Sequence, residues 1–438
     1  MFKNSWLILF ISITVCSCKQ KDIKSYVTEN LVTIRTISPD STDFSELEEI
    51  GKAIGDSRIV MLGEQDHGDA PTFIAKTRLI KYLHEKMGFN VLAFESDFFA
   101  LNRGWDQLEK KKSKMDPFVS ENIFNIWTKC TECEYLFFNY IPSTFSSKKP
   151  LILSGFDNQV HGSYSAKNLR PFLDDYLKRK EINFTKTEKY KIDFLSFIDS
   201  ISFNRNIEKQ RNFKKALTQI HGELPLGDSS AFESILLKSL MTLTEKEISF
   251  LSNGTDQLEI RDRQMAENLK WLVKYKFPNE KVIVWAHNSH ILKQPGLVKI
   301  TGLQRSWKNM GDFFTADKQF DKQSYILGFT SRSGTAGRVL IEKKYTIPAP
   351  EVNSFESWIP VTVPYAFVDF KRYRKENPDM KTPFLMKGRG HVADPAPWSD
   401  IFDGIFYIRD MYFCSLGTVR RESNYKFQER LAGYNKCL

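Results

Sequence analysis

Four short stretches of this 438-residue chain concentrate side chains able to move protons. "GEQDHG" (63–68) offers Glu64, Asp66 and His67; "ESD" (95–97) offers Glu95 and Asp97; "SGFDNQ" (154–159) offers Asp157; "AHNSH" (286–290) offers His287 and His290. Three of the seven histidines fall here. A histidine beside a carboxylate can take a proton from water and return it, because the acid holds one imidazole tautomer and steadies the charged form. Buried carboxylates and imidazoles are costly unless they serve one another, so a single polar site explains all four stretches together. Taken separately, each has an ordinary reading. Glu64 and Asp66 could cap a helix starting near Pro71 or Thr72, Glu95 could pair with a lysine, and His287 and His290 could be one core and one surface histidine.

Each stretch follows a run that reads as a buried strand. "RIVML" (58–62), "NVLAF" (90–94), "PLILSGF" (150–156) and "KVIVWA" (281–286) are near-continuously apolar, as is "SYILGF" (324–329), with weaker signals in "RVLI", "YAFVDF" and "GIFYIRD". Between the first two, "TFIAKTRLIKYLHEKMGF" repeats Phe73, Ile80, Leu83 and Met87 at helical spacing and ends on Gly88, a natural C-cap. Strand, helix, strand implies a right-handed parallel crossover. The fold class expected is α/β, with a mostly parallel central sheet flanked by helices. In such sheets ligands bind beyond the carboxyl ends of the strands, where the four stretches would converge. Residues 163 to 280 are charged and helical in period, and are read as a helical insertion acting as a cap. Lys76 shares the buried face of the first helix and faces the crevice; snorkelling to the surface is its alternative. Arg261 and Asn268 lie on a second amphipathic helix, in phase with Leu258, Met265 and Leu272, and either shape the site or buttress it.

The segment "GEQDHGDAPTFIAKTRLIKYLHEKMGFNVLAFESDF", followed in order by "SGFDNQ", "RDRQMAENLKWL" (261–272) and "VIVWAHNSHI" (282–291), resembles the erythromycin esterase family over roughly residues 50 to 410. The resemblance implies a hydrolase that opens ester or lactone bonds by direct attack of water, without a covalent serine intermediate. It aligns His67 with a general base, Glu64 and Glu95 with essential carboxylates, and His287 and His290 with a second histidine pair. Lys76 falls where the family carries a basic residue. One position departs: Asp66 stands where the family usually has threonine or another small uncharged residue, and a negative charge there favours a protonated neighbour. Ester hydrolysis needs a base, a partner that orients it, and a polar group where oxyanion charge develops; Lys76, Asp157, Arg261 and Asn268 are the candidates for contacting substrate. No Gly-x-Ser-x-Gly follows a strand, which disfavours a serine triad. No cofactor is required by this scheme. Two other readings stay open. The five Glu and His side chains could instead hold one divalent metal that activates water, or the crevice could bind a ligand without turnover.

The chain's ends suggest where it works. "MFKNSWLILFISITVCS" (1–17) has a positive start, an apolar stretch too short to span a bilayer and small residues before Cys18. "VCSC" resembles the bacterial lipobox, so Cys18 is expected to become a lipidated N-terminus, with residues 18–45 as a polar tether. An exported protein, lipid-anchored to a bacterial membrane and facing the periplasm or cell surface, is the expected localisation. Residues 46–410 would form the catalytic domain and 411–438 a C-terminal segment. The net charge of +10 is scattered among acids, which speaks against a nucleic-acid partner. Cys130 and Cys133 form a lone CxxC, read as a local disulfide or none.

Overall fold

The computed structural model describes residues 21–201, 203–224, 230–299, 307–339 and 343–416. Its strands are β1 (Val32–Ile34), β2 (Ile59–Leu62), β3 (Phe89–Asp97), β4 (Ile152–Asp157), β5 (Lys281–Trp285), β6 (Ser324–Arg338), β7 (Lys343–Ile347), β8 (Tyr365–Asp369), β9 (Phe384–Met386), β10 (Asp394–Ala396) and β11 (Gly404–Met411). Among the described residues, β9 and β10 pair only with each other. The rest form one sheet in the order β1, β8, β11, β6, β2, β5, β3, β4, with β7 added to β6. The six strands from β11 to β4 run parallel; β8, β1 and β7 join antiparallel.

All five apolar runs lie in this parallel part. Their lack of polar alternation follows from burial on both faces: Ile59, Met61, Val282 and Val284 enter one core, while Val60, Leu62, Ile283 and Trp285 enter the other. The helix Ala70–Met87 covers the second face, burying Phe73, Ile80 and Leu83 and ending on Gly88 in the left-handed conformation, φ 73°. On the first face lie the helices Ser163–Arg179, Ile207–Glu223, Phe232–Leu251 and Gln257–Trp271, the block read as an insertion. Their apolar stripes share the sheet's core, and the last of them also reaches the carboxyl ends of the strands.

"YAFVDF" and "GIFYIRD" become β8 and β11, whereas "RVLI" runs from the end of β6 into residues outside the described set. The expected tether needs correction from Asp22 onward. Ile23–Asn30 is a helix, capped by the Asp22 side chain, that buries Ile23, Tyr26 and Val27; β1 then pairs with β8. The segment reads as polar because only one narrow stripe of that short helix is apolar. Residues 1–20, with Cys18, lie outside the described set, as do 417–438.

Candidate active site

Glu64 follows β2 through Gly63, a position that tolerates no side chain: a Cβ there would sit 1.8 Å from the Asn288 amide oxygen. That close approach binds the β2 and β5 ends together, and the Asn288 N–H donates to the Glu64 carbonyl at 2.7 Å. The Glu64 side chain is fully buried and fully engaged. Its Oε1 accepts from His67 Nδ1 at 2.9 Å and from Trp127 Nε1 at 3.0 Å, and its Oε2 accepts from Lys76 Nζ at 2.8 Å. Burial pushes the carboxyl toward its neutral form, but Lys76 and His67 outweigh it and hold the group below its ordinary value. Lys76 is itself completely buried, its ammonium 4.0 Å from the centre of the Trp285 ring; burial weakens its hold on the proton and Glu64 restores part of it.

With Nδ1 committed to Glu64, His67 carries its lone pair on Nε2, to which none of the described residues makes a hydrogen bond. The His67 side chain keeps 22% of its surface exposed, so solvent reaches it.

Glu95 sits where the pairing of β3 with β4 slips between Phe94 and Asp97, an irregularity that re-aims side chains at a sheet edge. Its Oε1 accepts from Arg261 at 2.7 Å and its Oε2 from the His287 backbone N–H at 3.1 Å. Burial opposes ionisation, yet His290 and Arg261 hold Glu95 far below the usual carboxylate range. Arg261 also grips Asp157 at the end of β4 with two nitrogens, at 3.1 and 2.8 Å.

The three histidines form a row, with ring centres 5.1 Å apart for His67 and His287 and 6.3 Å for His287 and His290. His287 is neutral: its Nε2–H donates to the Gln65 carbonyl at 2.8 Å, and its Nδ1 accepts from the Ser289 backbone N–H at 3.0 Å. Burial and the neighbouring imidazoles push its pKa down to about 3. His290 goes the other way. Burial disfavours its charge, but Asp262, 2.9 Å from Nδ1, and Glu95, 3.3 Å from Nε2, outweigh burial and raise its pKa.

The structure thus brings Glu64, His67, Glu95, His287 and His290 into one network at the carboxyl ends of β2, β3 and β5. It corrects the expectation that Lys76, Asp157, Arg261 and Asn268 contact substrate. Lys76, Asp157 and Asn268 have no exposed surface, and Arg261 is buried between Glu95 and Asp157. Asn268 bonds Ser239, Gln264 and the Phe156 carbonyl. These groups hold the site from behind. The capping alternative also falls away: the helix at Ala70 makes no side-chain cap bond, and Asp66 accepts from Tyr345 at 2.7 Å and Arg338 at 3.3 Å. Asp69 and His391 form a further buried pair beside it.

Trp127 and Asp262 were not singled out from the sequence. Asp262 directly follows Arg261 in the "RDRQ" block, a usable signal; Trp127, in "FNIWTKC", carries no motif. The cysteine expectation is corrected as well. Cys130 is bonded to Cys414, 284 residues away, and Cys133 is a buried free thiol. Spacing within a CxxC is silent about a partner returned by the far end of the chain.

A family model described as erythromycin esterase matches residues 84–411. YbfO of Bacillus subtilis (strain 168), named as a hydrolase, is 28% identical over 393 residues, covering 83% of this chain and 86% of its own. The erythromycin esterase type II of Escherichia coli is 23% identical over 426 residues, 88% of this chain and 97% of its own. Among solved structures, a mutant of the erythromycin esterase EreC in its open conformation superposes with a TM-score of 0.62 at 19% identity, over 88% of this chain and 99% of that one, a likeness of fold.

Proposed function

The chain belongs to the erythromycin esterase family and is a hydrolase; from that premise we propose that it opens an ester or lactone bond in a small molecule with water activated by His67. The observation that carries this reading is the Glu64 to His67 Nδ1 contact at 2.9 Å, which leaves Nε2 without a hydrogen bond from the described residues on a side chain that solvent reaches. His67 Nε2 takes one proton from water as the water oxygen adds to the carbonyl carbon. The tetrahedral oxyanion then collapses, the bond to the leaving oxygen breaks, and that oxygen takes the proton back from Nε2. The products are a carboxylic acid and an alcohol. Glu64 orients the ring and steadies its positive charge while the proton resides there. His290, whose hold on a proton Asp262 and Glu95 strengthen, lies at the other end of the row, where it can answer charge that develops on the substrate.

This scheme needs no metal. The carboxylate oxygens a metal would use are taken by Lys76, Trp127, His67 and Arg261. His67→Asn tests it on a panel of chromogenic esters and lactones. Loss of about 10² to 10⁴ in kcat, with the fold retained, is expected for a missing general base; unchanged turnover removes His67 from the mechanism, and ligand-induced stabilisation without any turnover by the natural chain would favour a binding role.

We further propose export and tethering to a bacterial membrane through lipid on Cys18. The Cys130–Cys414 disulfide supports this, since such bonds persist in oxidising compartments. Cys18→Ser should release the protein from the membrane fraction; unaltered membrane association would refute the anchor.

A further inference from the structure

The indole of Trp127 is fully buried against the catalytic dyad, and its N–H donates to the same Glu64 oxygen that His67 uses. Its ring stands edge-on to the His67 ring, centres 5.8 Å apart. A carboxylate oxygen shared by two donors has a defined direction, and a donor that partly neutralises Glu64 limits how strongly the acid holds a proton on the imidazole.

What places Trp127 is unusual in its connectivity. The helix bearing it, Asn125–Thr128, is only one turn long, and the backbone N–H of Cys130 turns back onto the Trp127 carbonyl at 3.1 Å. From there the chain is gripped by the far C-terminal strap. Cys130 is disulfide-bonded to Cys414 and forms an antiparallel bridge with Leu416. The Thr131 N–H donates to the Ser415 carbonyl at 2.9 Å, and the Ser415 N–H to Glu132 at 3.1 Å. The same strap presses on the other side of the dyad. Phe413 bridges Asp69, and the Cys414 N–H donates to the Gly68 carbonyl, one residue past His67, at 2.9 Å. A Cβ on Gly68 would meet the Phe413 ring at 2.8 Å, so contact there is tight.

We propose that Trp127 is a positioning residue for the hydrolysis, aligning Glu64 and through it His67, and that the strap Phe413–Leu416, cross-linked to Cys130, holds Trp127 in place. This rests on the reading of His67 as the base. In the full chain, Trp127→Phe keeps the aromatic bulk and removes the N–H. Losing a hydrogen bond to a charged group is worth roughly 10- to 100-fold, so kcat should fall by that factor while KM stays nearly constant. The acid limb of the kcat profile should move to higher pH, because a carboxylate without the indole donor holds the proton on its partner more tightly. A ring that only fills space would leave both unchanged, and that result overturns the role of Trp127.

Cys414→Ser should lower kcat and move the acid limb in the same direction, and the double variant with Trp127→Phe should be no slower than Trp127→Phe alone. Losses that multiply would overturn the link between strap and indole. Should Cys414→Ser fail to fold, Glu132→Gln weakens the bond to Ser415 while leaving the Cys130–Cys414 bond in place, and carries the same cycle. His67→Asn, run in parallel, separates the two readings. Full turnover in His67→Asn fails the base assignment, whereas an inactive His67→Asn beside an unaffected Trp127→Phe overturns this inference alone.

Discussion

Replacing Lys76 with methionine removes a charge that no solvent can replace. The ammonium and Glu64 Oε2 are 2.8 Å apart, and neither side chain has exposed surface. At an effective dielectric near 20, Coulomb attraction over that distance is about 6 kcal/mol. Part of this offsets the desolvation of both groups, and breaking a buried pair by removing one member typically costs about 3–5 kcal/mol. Lys76→Met should therefore lose stability of that order, by an amount that depends on pH. In the natural chain Glu64 is held below the ordinary carboxyl value, so its contribution is present above that value and is lost as pH falls through the depressed one. Without Lys76, burial pushes Glu64 up. The stability deficit should be large in mild alkali and shrink in mild acid, where the variant takes up the proton. A neutral Glu64 also donates to Nδ1 of His67, moves the ring proton to Nε2 and removes the lone pair needed to accept from water. The assay is thermal unfolding of both proteins near pH 5 and pH 8, with kcat at the same points, alongside Lys76→Met/Glu64→Gln. That double variant should recover most of the stability and none of the rate. A Lys76→Met protein as stable and active as the parent at pH 8 would refute the reasoning.

Arg261→Met should leave Glu95 and Asp157 buried without their shared cation and cost about 3–5 kcal/mol in unfolding free energy, measured by denaturant titration. His290, whose pKa is raised, contributes stability that is full below its ordinary value near 6.5 and fades as pH rises through the folded value, so the melting temperature gap between the natural chain and His290→Gln should narrow from pH 6 toward pH 9. His287, pushed down to about 3, has the opposite sign: its neutral form stabilises above about 6.5, and that contribution declines as pH falls toward 3, so His287→Gln should flatten the acid side of the stability curve. Ser289 lies 2.7 Å from His287 Nδ1, yet so weakly basic an imidazole is a poor acceptor of a hydroxyl proton; Ser289→Ala should keep turnover, and an acyl-enzyme detected by mass spectrometry would contradict water attack. Dialysis against a chelator should leave kcat unchanged, and activity lost there but regained with zinc or manganese would hand the cluster to the metal reading.

What was readable in the sequence is what local pattern encodes. β2 to β6 announce themselves because strands buried on both faces need an unbroken apolar run, and Gly88 marks the helix end because few other residues adopt φ 73° there. The carboxyl-end rule then gathers Glu64, Glu95, His287 and His290 before any coordinate is known. Depth was not readable. Lys76 has the spacing of a crevice-facing group and is in fact behind Glu64, because a helical face does not say how far a side chain lies from water. The partner of Cys130 escaped because no periodicity spans the 284 residues to Cys414, and Trp127 because its one-turn helix is too short to show a period. The short helix after Asp22 escaped because three buried side chains among charged neighbours make too weak a stripe.

The sheet order has a consequence for how the protein is made. β2, which leads to Glu64, and β3, which carries Glu95, are not neighbours; β5 fills the slot between them. A ribosome therefore delivers Glu64 and Glu95 long before the strand that separates them, and the whole helical block must emerge first. A nascent chain stopped short of residue 281 would hold two apolar strands with unpaired inner edges, the kind of surface that recruits other chains. Quality control during synthesis would act on this intermediate, and chains ended prematurely within the helical block should collect in aggregates instead of persisting as inactive soluble fragments.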